Sequence, residues 1–413
     1  MDNFYTVSSR ISWLFFALRD KTMAMRMITD TKTLKSHCET LAKHPYITVD
    51  TEFLRDKTYY ARLCLVQLCA KGMDPVAVDP LANGIDLQPL FDLMADTSTI
   101  KVFHAARQDL EIFFQICGAL PTPLFDTQVA AMVCGYGDQI GYLNLVKDVC
   151  GIALDKGAQF TDWSRRPLSE KQLSYALDDV TYLRDAYESL AKRLEQQKRT
   201  QWVLQEMEVL NDTRIYEMEP NEAWRRIKVR TNKPKVLGVL KAIAAWRERE
   251  AQRMNIPRPR VIRDDALADM AIHPPRNRDD LQKMRNVPPD ISKSRKGEDV
   301  LKAVQQGLAD PNPPKPPPKK RFPQDSIPVL EMMKMLLKIQ AGIHDVAPRL
   351  VASIDDLEEL AQIEGTALLE KSDLKLLKGW RFDVFGKEAL AMKRGDIALS
   401  LQNGKIVKID LKK

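Results

Sequence analysis

The chain has 413 residues, a net charge of +7 and a pI of about 8.9, with 44% hydrophobic and 29% charged residues. That balance reads as a soluble globular protein of two or three domains, at roughly 100–200 residues each, with a polyanionic partner favoured by the mild basicity. The apolar run 11–18 is eight residues long, too short to span a bilayer, and no clear small-residue cleavage site follows it, which argues against a signal peptide there.

Residues 1–25 read as an extension ahead of the folded part, and Met23, Met25 and Met27 offer alternative starts. Residues 29–43 carry an amphipathic helical pattern opened by Thr29-Asp30 as caps. Residues 46–53 are apolar and β-branched up to Val49 and predict a strand. Two more strands over 61–70 and 75–79 are short-linked, which predicts an antiparallel meander. A helix near 86–96, a fourth strand over 100–106 and a helix over 108–117 follow. Helical patterns recur at 126–134, where Asp126-Thr127 is a sensible cap, at 142–150 and at 169–198. Early strands with helices interleaved later predict an α/β domain, a mixed sheet with helices on it. The six cysteines all lie within the first 150 residues without a C-x-x-C pair, which fits buried thiols in a reducing compartment.

From about residue 220 the composition changes. Residues 224–263 hold thirteen Lys/Arg and two acids, Glu248 and Glu250. Such a segment either presents a solvated helical face or binds a polynucleotide backbone by releasing counterions. Helical patterns continue to about 308. The proline-rich basic stretch 310–323 predicts a semi-rigid linker. Short helices resume over 326–380, and Asn403-Gly404 between two β-rich runs predicts a hairpin.

Asp50 and Glu52 share one face of the 46–53 strand, roughly 6–7 Å apart. Two carboxylates on an otherwise buried strand repel each other and lose hydration. A divalent cation is the simplest group that offsets both; the plainer reading is a strand end that extends two acids into water. Asp109 opens the helix after His104-Ala105-Ala106, where an acid ordinarily serves as a cap or dipole partner. Tyr175 and Asp179 share a helical face, and Asp178 competes with Asp179 for it. His104 and Trp163 read as packing residues. The loop 155–168 carries Arg165 and Arg166, each either a phosphate contact or an internal salt bridge.

Together, Asp50-x-Glu52, Asp109 57 residues further on and Tyr175-x-x-x-Asp179 resemble the DEDD exonuclease superfamily. The branch is the one with tyrosine before the last acid; the histidine branch would place its histidine at 174, which is serine here. The segments VDTEF, FHAARQDLEIF and DWSRRPLSEKQLSYALDDVTYL are similar to those of the ribonuclease D family. The basic helical region resembles the HRDC module shared by that family and RecQ-type helicases, and the absence of G-x-x-x-x-G-K-[ST] excludes a helicase motor.

The resemblance implies a ribonuclease H-like nuclease domain followed by all-α HRDC-like domains. The expected boundaries are an extension at 1–25, exonuclease at 26–200, a helical linker at 201–230, HRDC at 231–310, the linker at 311–323, a second HRDC-like domain at 324–392 and a hairpin tail at 393–413. It implies Asp50, Glu52, Asp109 and Asp179 as ligands for two divalent ions, Mg²⁺ or Mn²⁺, with Tyr175 orienting the attacking water. The implied reaction removes nucleoside 5′-monophosphates from the 3′-hydroxyl end of RNA, as in tRNA 3′ maturation. The implied setting is a cytoplasmic monomer acting on tRNA precursors and small structured RNAs. Candidate RNA contacts are Arg165, Arg166, Lys241, Arg258 and Arg260. Competing readings are a DNA 3′→5′ exonuclease and a non-catalytic RNA-binding protein on an exonuclease fold.

Overall fold

The computed structural model describes residues 26–154, 157, 161–315, 322–363 and 373–411. The expected extension 1–25, part of the 155–168 loop and much of the proline-rich linker lie outside the described residues.

A six-stranded sheet has the order β1-β4-β3-β2-β5-β6, from β1 (Met27–Ile28), β2 (Tyr46–Leu54), β3 (Arg62–Cys69), β4 (Val76–Val78), β5 (Ile100–Phe103) and β6 (Leu124–Asp126). β2, β3 and β4 form an antiparallel meander because their links are short. β5 and β6 run parallel to β2 because helices cross between them. β1 and β6 escape sequence reading because two or three residues are too few to show an alternation.

The helices of this domain are α1 (Thr31–Leu41), α2 (Gln88–Ala95), α3 (Arg107–Cys117), α4 (Thr127–Val133), α5 (Tyr142–Cys150), α6 (Glu170–Gln196) and α7 (Thr200–Leu210). α6 starts with a capping box between Ser169 and Gln172. Its buried Leu173, Ala176, Leu177, Val180, Leu183 and Ala186 recur at helical spacing and lay it across β2 to β5. The register positions the site: β5 pairs only with Tyr46 to Thr48, whereas β3 accompanies β2 as far as Leu54. Asp50 and Glu52 therefore sit beyond the end of β5, where α3 begins.

Two helical modules follow, each with its own core. The first comprises α8 (Pro234–Met254), α9 (Arg258–Val261), α10 (Asp264–Ile272), α11 (Arg278–Lys283), α12 (Pro289–Ser292) and α13 (Arg295–Leu308). α8 and α13 cross at Gly238 and Gly307, where a Cβ on Gly307 would meet Val239 Cα at 2.5 Å and the Gly238 carbonyl oxygen at 2.7 Å. Both obstacles are backbone, so Gly307→Ala is expected to destabilise this module by about 1–3 kcal/mol. Chemical denaturation of the full chain checks this, and an unchanged midpoint would mean the crossing parts without cost.

The second module contains α14 (Ile327–Ile343), α15 (Pro348–Val351) and α16 (Ile354–Gln362), and ends in the hairpin β7 (Ile397–Gln402) and β8 (Lys405–Asp410). Asn403 and Gly404 form its two-residue turn with φ of 51° and 75°, the positive pair that a type I′ turn requires.

The modules dock on different parts of the nuclease domain. Asn255, at the left-handed C-cap of α8, accepts from the backbone N–H groups of Tyr59 and Tyr60 at 3.1 and 3.0 Å. The second module stacks Trp380 on Trp202 of α7, with ring centroids 4.5 Å apart, and pairs Asp345 with Arg193 at 2.8 Å. Part of the basic segment is internal: Arg247 is buried and donates to Asp264 and to the Ile262 carbonyl.

Candidate active site

Three elements converge on one point. β2 projects Asp50 and Glu52, and α6 projects Tyr175 and Asp179. The first turn of α3 presents Asp109, which is buried there. Carboxylate oxygens of Asp50, Glu52 and Asp179 lie within 4.8 Å of one another. Asp109 lies beside them: its Oδ1 accepts from the Thr51 hydroxyl, its charge acts on Glu52, and the charge of Asp50 acts on it. Asp178 is exposed one residue along and stands outside the trio.

Residues without a local sequence signature hold this arrangement. Thr48 Oγ1 donates to the Val180 carbonyl at 2.8 Å, which pins α6 to β2 beside Asp179. The Tyr142 hydroxyl donates to the carbonyl of Asp179. Asp126 caps α4 and also accepts from the N–H groups of Ala105 and Ala106 at 3.0 and 2.9 Å. Those bonds secure a turn in which Ala105 has φ of 56°, an unusual value for alanine, just before α3 delivers Asp109. A cap at Asp126 is legible in the sequence, whereas its second role is not. His104 is engaged by Thr127 Oγ1 and the Ile140 carbonyl.

Burial raises the proton affinities of Asp50, Glu52, Asp109 and Asp179, and the neighbouring carboxylates add to the effect. Asp50 is raised further by Asp179, Glu52 by Asp50, and Asp109 by Asp50. The Tyr175 hydroxyl is pushed well above its ordinary range by burial and then by Asp179. An all-oxygen donor set with this mutual repulsion, Asp109 and Asp179 buried and Asp50 and Glu52 half-buried, fits a hard divalent cation, which supplies the missing positive charge.

The candidate RNA contacts separate. Arg166 takes the salt-bridge alternative: its Nε and Nη2 bind Asp79 at 2.7 Å each, and its remaining donors reach the carbonyls of Cys64, Trp163 and Arg165. It ties the loop to the sheet because Asp79, almost fully buried, requires a counter-charge. Trp163 packs beneath it, 2% exposed. Arg258 is committed through Nε and Nη2 to Glu248, at 2.6 Å each. Arg165 and Arg260 are exposed and Lys241 is half-buried.

Residues 25–195 match the sequence model of a family described as 3′-5′ exonuclease, and residues 236–304 match the HRDC domain. Ribonuclease D of Nitrobacter hamburgensis is 47% identical over 387 residues, which span 94% of this chain and all of that protein. The chain belongs to the ribonuclease D family. Ribonuclease D of Sphingobium indicum is 45% identical over 388 residues, covering 92% of this chain and 97% of that one. The crystal structure of Escherichia coli RNase D, described as an exoribonuclease involved in structured RNA processing, matches with a TM-score of 0.75 and 29% identity over 89% of this chain and 98% of its own. A ribonuclease D with this acidic cluster is a metal-dependent 3′→5′ exoribonuclease, and these relatives do not favour the DNA-exonuclease or non-catalytic readings.

Proposed function

We propose that Asp50, Glu52, Asp109 and Asp179 hold two divalent ions, Mg²⁺ or Mn²⁺, and that Tyr175 orients the water attacking the terminal phosphodiester. The convergence of three carboxylates within 4.8 Å, with Asp109 alongside, carries this reading. Ions bound there acidify water and neutralise charge developing on the attacking and leaving oxygens. Thr51 fixes the orientation of the Asp109 carboxylate, and Thr48 and Tyr142 fix α6 so that Asp179 faces β2. In the metal-free site burial and the neighbouring carboxylates favour the protonated Tyr175 hydroxyl, which suits a hydrogen-bonding guide for water better than a base.

Nucleoside 5′-monophosphates leave one at a time from the 3′-hydroxyl end. The substrates are tRNA precursors and other small structured RNAs, a class supported by the description of the Escherichia coli relative. The protein acts as a monomer in the cytoplasm; no described helix is long and apolar enough to cross a membrane.

The test follows a 3′-labelled RNA with a single-stranded end in Mg²⁺, in Mn²⁺ and in chelator. Metal-dependent release of mononucleotides is expected, and internal cuts or activity that survives chelation would overturn the assignment. Tyr175→Phe is expected to lower kcat about 10²-fold through misplaced water, with KM unchanged. Its pH–rate profile should keep the wild-type shape; loss of one limb would make Tyr175 a proton-transfer group.

A further inference from the structure

A polar cavity of about 630 Å³ separates the nuclease domain from the first helical module. Arg55 and Arg107 line it from the nuclease side, and Arg226 and Arg258 from the helical side. Arg55 follows Glu52 by three residues on leaving β2, and Arg107 precedes Asp109 by two on α3. At 3.6 residues per turn, Arg107 and Glu111 occupy the face of α3 turned away from Asp109. The cavity therefore lies around the corner from the carboxylates, on the same two elements.

Its charges are unevenly satisfied. Arg55 is paired with Glu111, and Arg258 with Glu248. Arg107 and Arg226 are exposed and make no ion pair among the described residues. Glu217 is the remaining carboxylate of the lining. Tyr59 and Tyr60 stand edge to face at the rim with centroids 4.8 Å apart, and Tyr60 is 37% exposed. Unpaired guanidinium groups beside an accessible aromatic ring match a single-stranded polynucleotide: arginine takes the phosphates and the ring stacks on a base.

We propose that this cavity is a second RNA subsite, in which Arg107 and Arg226 hold internal phosphates of the strand whose 3′ end occupies the carboxylate site, with Tyr60 stacking on a base. The proposal rests on the exoribonuclease reading. It makes affinity depend on RNA length, because a dinucleotide cannot fill both places.

The test compares metal-loaded full-length protein with Arg107→Ala/Arg226→Ala on a dinucleotide and on a single-stranded RNA of about ten nucleotides. Both side chains are exposed, so their truncation leaves the fold intact. KM for the longer RNA is expected to rise roughly tenfold, and the slope of log affinity against log salt to become shallower by about 1.4, two single-strand phosphate contacts. Dinucleotide kcat/KM should not change. Glu217→Gln should lower KM for the longer RNA, the opposite sign. Equal losses on both substrates, or no loss, would overturn the subsite. Weaker inhibition by 5′-AMP with length dependence preserved would also overturn it, since the cavity would then hold the released nucleotide. A wild type that cleaves neither substrate would instead sink the exoribonuclease reading itself.

Discussion

Asp50→Asn is expected to abolish turnover while RNA binding persists, and to make the metal-free protein more stable. The first effect follows from losing a ligand at the centre of the cluster. Metal stabilisation of charge in the transition state is worth several kcal/mol; at 1.36 kcal/mol per tenfold, the loss is about 10³–10⁴ in kcat. The second effect follows from mutual repulsion. Without a cation, the half-buried Asp50 carboxylate is disfavoured by desolvation and by Asp179, and it burdens Glu52 and Asp109 in turn. Asparagine keeps the shape and removes the charge.

The pH dependence has a definite sign. The folded-state proton affinities of these acids lie above their unfolded values, so the folded protein binds more protons. Their stabilising contribution is complete below the ordinary carboxylate range and is lost as pH rises through the folded-state values, about 7 for Asp179, about 8 for Asp50 and about 10 for Glu52. Thermal melts in chelator should therefore fall with rising pH, less steeply in Asp50→Asn. Saturating metal should reverse the trend, because only the deprotonated acids bind it. Chelated melts indifferent to pH would show that the cluster is not repulsive in the folded protein.

The site was legible in the sequence to the extent that its signals were local. Asp50 and Glu52 could be placed on one strand face from alternation alone, and Tyr175 with Asp179 on one helical face from spacing. Asp109 could be placed at a helix start but not joined to the others, because the junction depends on β5 ending at Phe103 while β2 continues. Only the resemblance joined them. Thr48, Thr51 and Tyr142 were not legible, since each acts on a partner 132, 58 or 37 residues away and none has a distinctive neighbourhood. Arg166 shows the converse: two adjacent arginines in one polar loop read alike, and only the buried Asp79 across the domain separates the structural one from the exposed one.

Arg258→Ala should destabilise the junction between the nuclease domain and the first helical module by about 3–5 kcal/mol, the cost of leaving a buried charge without its partner. Glu248 is fully buried, and its oxygens are met by Arg258 and by the Tyr59 hydroxyl from the β2–β3 connection. The Arg258 guanidinium also lies over the Tyr59 ring, 4.7 Å from its centroid. Truncating Arg258 strands the carboxylate with one neutral donor, whereas Tyr59→Phe removes the donation to Glu248 and the bonds accepted from Arg258 Nη2 at 3.0 Å and Gln252 Nε2 at 3.2 Å but strands no charge, and should cost less, about 1–3 kcal/mol. Glu248→Met/Arg258→Met removes both charges and keeps apolar volume, so it should recover most of the lost stability. If the double variant denatures as early as Arg258→Ala, the loss comes from packing and not from an unpaired charge. A weakened RNA affinity in Arg258→Ala alone would not make Arg258 an RNA contact, because its substitution also loosens the wall that carries Arg226 toward the nuclease domain; restored affinity in the double variant, which lacks the arginine, would assign it the positional role.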